Sequence, residues 1–69
     1  MQLPVRLDQY LKLVGAAQTG GHAKFMIQEG EVFVDGEVET RRGRKLRGGE
    51  QVEVEGVRYQ VDAPQEGQD

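Results

Sequence analysis

Gly30-Glu31-Val32-Phe33-Val34-Asp35-Gly36-Glu37-Val38-Glu39-Thr40 is the stretch that decides the fold, because within it the apolar spacing changes from helical to alternating. Two β-prone runs, Glu31 to Val34 and Glu37 to Thr40, flank Asp35-Gly36, a strong hairpin signal. Two registers fit it. A strict two-residue loop pairs Phe33 with Val38. A three-residue loop with Gly36 at a bulge pairs Phe33 with Glu37 and Val32 with Val38. The second keeps Val32 and Val38 on one inner face and is the register expected.

Downstream the signature recurs. Gln51 to Glu55 and Val57 to Val61 flank Glu55-Gly56, with Val52, Val54, Val57, Tyr59 and Val61 on a shared inner face. Upstream the period is helical. Arg6 to Val14 places Leu7, Leu11 and Val14 at i, i+4, i+7, with Tyr10 beside that stripe. Asp8 falls in the first turn, where negative charge suits the helix dipole, and Gly15 is a natural stop. His22 to Glu29 turns Ala23, Met26 and Ile27 to one side, with Thr19 as N-cap and Gly30 as stop. The expectation is an α+β fold. Helices near 6–14 and 21–29 pack on a small, mostly antiparallel sheet from 31–61, burying Leu7, Leu11, Ala23, Ile27, Val32, Val38, Val52 and Val54.

Sixty-nine residues, 36% of them apolar, make one small domain. Residues 1–61 form it, and the acidic segment 62–69, poor in apolar side chains, is expected to be a disordered tail. With no cysteine and one histidine, neither a disulfide nor a four-ligand zinc site is available, and no cofactor or metal is expected. No apolar run approaches a membrane span, and Arg6, Asp8 and Lys12 interrupt any leader peptide, so a soluble cytoplasmic chain is expected. The catalytic inventory is poor. Serine is absent, Thr19 and Thr40 are the only hydroxyls besides two tyrosines, and Glu53 and Glu55 read as a solvated strand face. An enzyme is not expected.

The net charge of −3 hides a polarity. With Asp62, Glu66 and Asp69 set aside, nine basic residues face nine acids, and Arg41, Arg42, Arg44, Lys45 and Arg47 crowd into seven positions. Four of these cations flank Gly43, which is expected to bend the backbone so that they converge. Arginine's planar fork suits phosphate, so the loop is the first candidate anion site, against the plainer reading of a solvated loop. Gly20, Gly21, His22 and Lys24 at the second helix's start are another candidate, or an ordinary glycine-rich helix start. Phe25 lies off the Ala23/Ile27 stripe, and either stacks on a base or covers the core edge.

Four segments in order carry a resemblance: Arg6-Leu7-Asp8-Gln9-Tyr10-Leu11-Lys12, Thr19-Gly20-Gly21-His22-Ala23-Lys24, Gly30-Glu31-Val32-Phe33-Val34-Asp35-Gly36 and Gly48-Gly49-Glu50-Gln51-Val52. Over about residues 5–61 the chain resembles the S4 RNA-binding domain family, in particular the small stand-alone bacterial members of the YaaA and YbcJ type, whose loop also reads Arg-Arg-Gly-Arg-Lys-Leu. The resemblance implies the αL motif, two helices and a hairpin presenting a basic face to structured RNA. The chain departs from many members in two places. Gly20 follows Thr19 where an arginine is common, and the Arg41 to Lys45 cluster replaces Lys-Pro-Ser.

The expected function is therefore a non-catalytic RNA-binding module for structured RNA, ribosomal or tRNA-like, with the ribosome as candidate partner and the monomer as expected state. Arg41, Arg42, Arg44 and Lys45 would neutralise phosphates, Lys24 with Gly20, Gly21 and His22 would hold another, and Arg6 and Lys12 would extend the face. Two alternatives are an adaptor docking its basic loop on an acidic protein and the non-catalytic remnant of an enzyme.

Overall fold

The computed structural model describes residues 2–62. The expected tail beyond Asp62 lies outside the described residues. In chain order the elements are β1 (Val5–Arg6), α1 (Leu7–Leu13), α2 (Gly20–Gln28), β2 (Val32–Val34), β3 (Glu37–Val38), β4 (Lys45–Leu46), β5 (Gln51–Val54) and β6 (Val57–Gln60). The larger sheet runs β3-β2-β5-β6, antiparallel throughout, and β1 pairs antiparallel with β4 in a second, two-stranded sheet. The α+β class is observed, and the helices precede every strand except β1, which the expected order of helices before strands did not include.

Each helix starts and stops where its sequence indicates. The Thr19 hydroxyl accepts a hydrogen bond from the His22 N–H at 3.0 Å, capping α2. Gly15 and Gly30 adopt φ of +83° and +78°, the left-handed conformation that ends helices and favours glycine. Leu7, Leu11, Met26, Ile27, Val32 and Val52 are fully buried in one shared core, so helices this short are held by packing.

Three expectations are corrected. First, the hairpin takes the two-residue loop: Phe33 pairs with Val38 and Val34 with Glu37. Asp35 and Gly36 both lie in the left-handed region, φ 53° and 85°, and such a primed turn twists in the sense the strands need. Aspartate tolerates that conformation better than most residues, which makes the tighter loop accessible. Val38 therefore points away from Val32 and is 51% exposed. Second, Val57 shares the face of Val54 but lies on edge strand β6 beside the turn, and is left half exposed, whereas Val61 is buried. Third, β1 and β4 were not anticipated. Two-residue strands carry no readable alternation, and only their pairing makes them visible: Val5 opposite Leu46 and Arg6 opposite Lys45.

Candidate nucleic-acid interface

The register that turns Val38 outward turns its neighbour Glu39 inward, because strand side chains alternate. Glu39 is only 6% exposed. A buried carboxylate needs partners, and the basic loop supplies them. Arg41 donates its backbone N–H and its Nε to Oε2, both at 3.0 Å, and its Nη2 to Oε1 at 3.1 Å. Arg44 donates Nη1 to Oε1 at 3.0 Å. The Arg41 side-chain hydrogen bonds, joined by those from its backbone and from Arg44, outweigh burial and hold the Glu39 carboxyl down to about 2.

The loop is also tied to the start of α1. The Leu7 N–H donates to the Arg44 carbonyl at 2.8 Å and the Asp8 N–H to the Arg42 carbonyl at 3.1 Å. These are two of the donors a helix start leaves unpaired, so the loop backbone caps the helix. The bend itself is closed by the Arg44 N–H on the Arg41 carbonyl at 3.2 Å. Gly43 does not need glycine's freedom there: its φ is not left-handed, and a Cβ would meet nothing within 4 Å. A second bend follows, where the Glu50 carboxylate accepts from the Arg47 and Gly48 N–H groups, each at 2.8 Å. Burial pushes the Glu50 carboxyl up, but these hydrogen bonds more than offset it and leave it below the usual range.

The structure therefore divides the predicted cations. Arg6, Arg41, Arg42, Arg44 and Lys45 gather around the start of α1. Within that group Arg6 is paired with Asp8 at 2.7 Å, and Arg41 and Arg44 with Glu39. Arg42 and Lys45 are exposed and form no ion pair among the described residues. The Arg41 side chain remains 76% exposed despite its partner, leaving donors free toward solvent.

The other candidates sit apart. Gly20 and Gly21 open α2 exposed, and Lys24 is half-buried in its second turn. His22 serves the local turn: its Nδ1 accepts from the Gln18 N–H at 3.3 Å. Lys12 lies on the outward side of α1 with Gln9 and Leu13, along an open hollow of about 380 Å³. No hydrogen bond or ion pair among the described residues joins these groups to the basic loop. Sequence reasoning missed Glu39 and Glu50. The available signal was an acid two residues before Arg41 and another three after Arg47.

Among the described residues no group of histidine, cysteine or carboxylate side chains could hold a metal ion. The arrangement suits binding polyanions: a hydrogen-bonded loop, anchored from below, with Arg42 and Lys45 unpaired among the described residues and one partly satisfied arginine on its surface.

The chain is similar to known proteins along most of its length. A family model described as the S4 domain matches residues 2–62. Over 52 residues the chain is 50% identical to the probable ribosome maturation protein RlbA of Bacillus subtilis (strain 168), spanning 75% of this chain and 73% of that one. Over 59 residues it is 46% identical to the putative RNA-binding protein YbcJ of Escherichia coli (strain K12), spanning 86% and 84%. The solution structure of E. coli YbcJ, described as revealing an αL motif involved in RNA-binding, matches with a TM-score of 0.68 at 43% identity, over 91% of this chain and 80% of that one.

Proposed function

This chain belongs to the S4 domain family, and on that premise we propose that it is a non-catalytic module that binds structured RNA through the loop Arg41 to Lys45. One observation carries the reading: Arg42 and Lys45 stand without an ion pair among the described residues, on a loop whose backbone is fixed by Glu39 beneath it and by the start of α1 beside it. A cation on a mobile loop loses entropy when it meets a phosphate, whereas one on an anchored loop has already lost much of it. Contacts of this kind go to phosphates and read shape more than sequence.

Ribosomal RNA, or an intermediate in ribosome assembly, is the RNA we assign, supported by the likeness to the probable ribosome maturation protein. The module acts as a monomer in the cytoplasm, and no described helix is long and apolar enough to cross a membrane. Lys24 with the α2 start, and Lys12, extend the face toward the helices. The test is ultraviolet crosslinking of the tagged chain in its native cell, followed by sequencing of the attached RNA. Enrichment of ribosomal RNA at one structured region supports the reading. Recovery of protein partners but no RNA contradicts it and favours the adaptor.

A further inference from the structure

Of the four aromatic side chains, one is mostly exposed. Tyr10 is buried, Tyr59 packs against the core, and Phe33 is half-buried between Val38 and Glu53 on the adjoining strands. Phe25 is 58% exposed. At 3.6 residues per turn it falls on the side of α2 opposite the buried Ala23, Met26 and Ile27. Helical side chains lean toward the helix N-terminus, so the ring leans over the turn that holds Gly21, four residues earlier. Gly21 has no side chain to cover it, and a Cβ there would meet only the Thr19 hydroxyl, at 3.9 Å. The charge on the N-terminal side of Phe25 is basic. Between Asp8 and Glu29 there is no carboxylate, and Lys12 and Lys24 are the charged residues of that stretch, while Glu29 lies one turn beyond Phe25, away from Gly21.

We propose that Phe25 is a stacking platform for one unpaired base of the bound RNA. The inference rests on the RNA-binding reading and adds to it a preference for unpaired nucleotides. Lys24, next to Phe25 in the chain, draws in a phosphate, and the ring then offers an apolar face that any base can cover. Bases inside a regular stem are stacked on one another and cannot reach it, so the RNA that fits is a stem carrying a bulge or loop. The basic loop supplies affinity, and the ring discriminates between paired and unpaired regions.

The test uses two synthetic RNA hairpins with identical stems, one with a single bulged adenosine and one with an abasic nucleotide in its place. The full chain should bind the first about 5- to 150-fold more tightly, the range that stacking one base supplies. F25A should bind both alike, at the strength the full chain shows for the abasic hairpin. The chain has no tryptophan, so F25W introduces a single indole that can be excited selectively over the two tyrosines. Its emission should be quenched by the adenosine hairpin and not by the abasic one. Equal binding of both hairpins by the unsubstituted chain, or an unchanged ratio in F25A, overturns the platform and leaves RNA binding standing. Failure to bind either hairpin overturns the RNA reading together with the platform. A change in oligomeric state in F25A, with the ratio unchanged, assigns the ring to a protein contact and overturns the platform as well.

Discussion

The Nε of Arg41 lies 3.0 Å from Oε2 of Glu39, and through that pair a buried acid organises an exposed basic loop. The pair has a cost as well as a use. It neutralises part of the loop's charge, yet it fixes the backbone from which Arg42 and Lys45 project. Glu39→Gln keeps the shape and removes the charge. It should destabilise the domain by about 1–3 kcal/mol, because Arg41 and Arg44 lose charged acceptors while remaining partly solvated. Chemical denaturation would measure this, and an unchanged midpoint would show that the pair contributes nothing.

The same pair sets a pH dependence. Glu39 titrates lower in the folded chain, at about 2, than in the unfolded chain, so its contribution is complete above about pH 4.5. It is lost as pH falls from there through about 2. Thermal melts of the unsubstituted chain and Glu39→Gln should differ most at neutral pH and converge toward pH 2. Parallel curves over that window would contradict the assignment.

Ile27 is fully buried in the shared core. Ile27→Ala should cost roughly 2–5 kcal/mol through lost contacts and the cavity left behind. For a domain of this size that is a large share of the available stability, about 3–5 kcal/mol. Denaturant titration read by circular dichroism gives the value, and a cost under about 0.5 kcal/mol would remove Ile27 from the core.

The hairpin register has its own check. Val38→Thr should change stability by no more than about 0.5 kcal/mol, because the side chain points to solvent. Gly36→Ala should cost about 1–2 kcal/mol, because φ there is +85°. A severe loss from Val38→Thr would restore the bulged register, in which that valine faces the core.

Much of the fold could be read from the chain. The stripe of Leu7 and Leu11, the Thr19 cap, the stops at Gly15 and Gly30 and both hairpins rest on local chemistry that a sequence displays. The hairpin register could not be read the same way. Preferring to bury Val38 overlooked that Asp35 can adopt the left-handed conformation, and a slip of one residue exchanges the two faces of the strand. That slip also concealed the buried Glu39, since the bulged register would have left it outside. The basic cluster was visible as charge, but which cations remain free depends on contacts between β3, the loop and the start of α1. Those contacts exist only once the chain has folded.

The central claim is that Arg42 and Lys45 neutralise RNA phosphates from an anchored loop. The most direct measurement is the slope of log affinity against log salt for a structured ribosomal RNA fragment, comparing the unsubstituted chain with Arg42→Gln/Lys45→Gln. Neither side chain forms an ion pair among the described residues, so the double substitution should leave stability within about 0.5 kcal/mol per site. Binding should weaken for every RNA tested, and the slope should flatten by roughly 1.4–1.8 units if each cation meets one phosphate. Glu53→Gln/Glu55→Gln, on and just beyond β5, is the matched control and should retain binding. An affinity and slope unchanged by the loop substitutions would contradict the account.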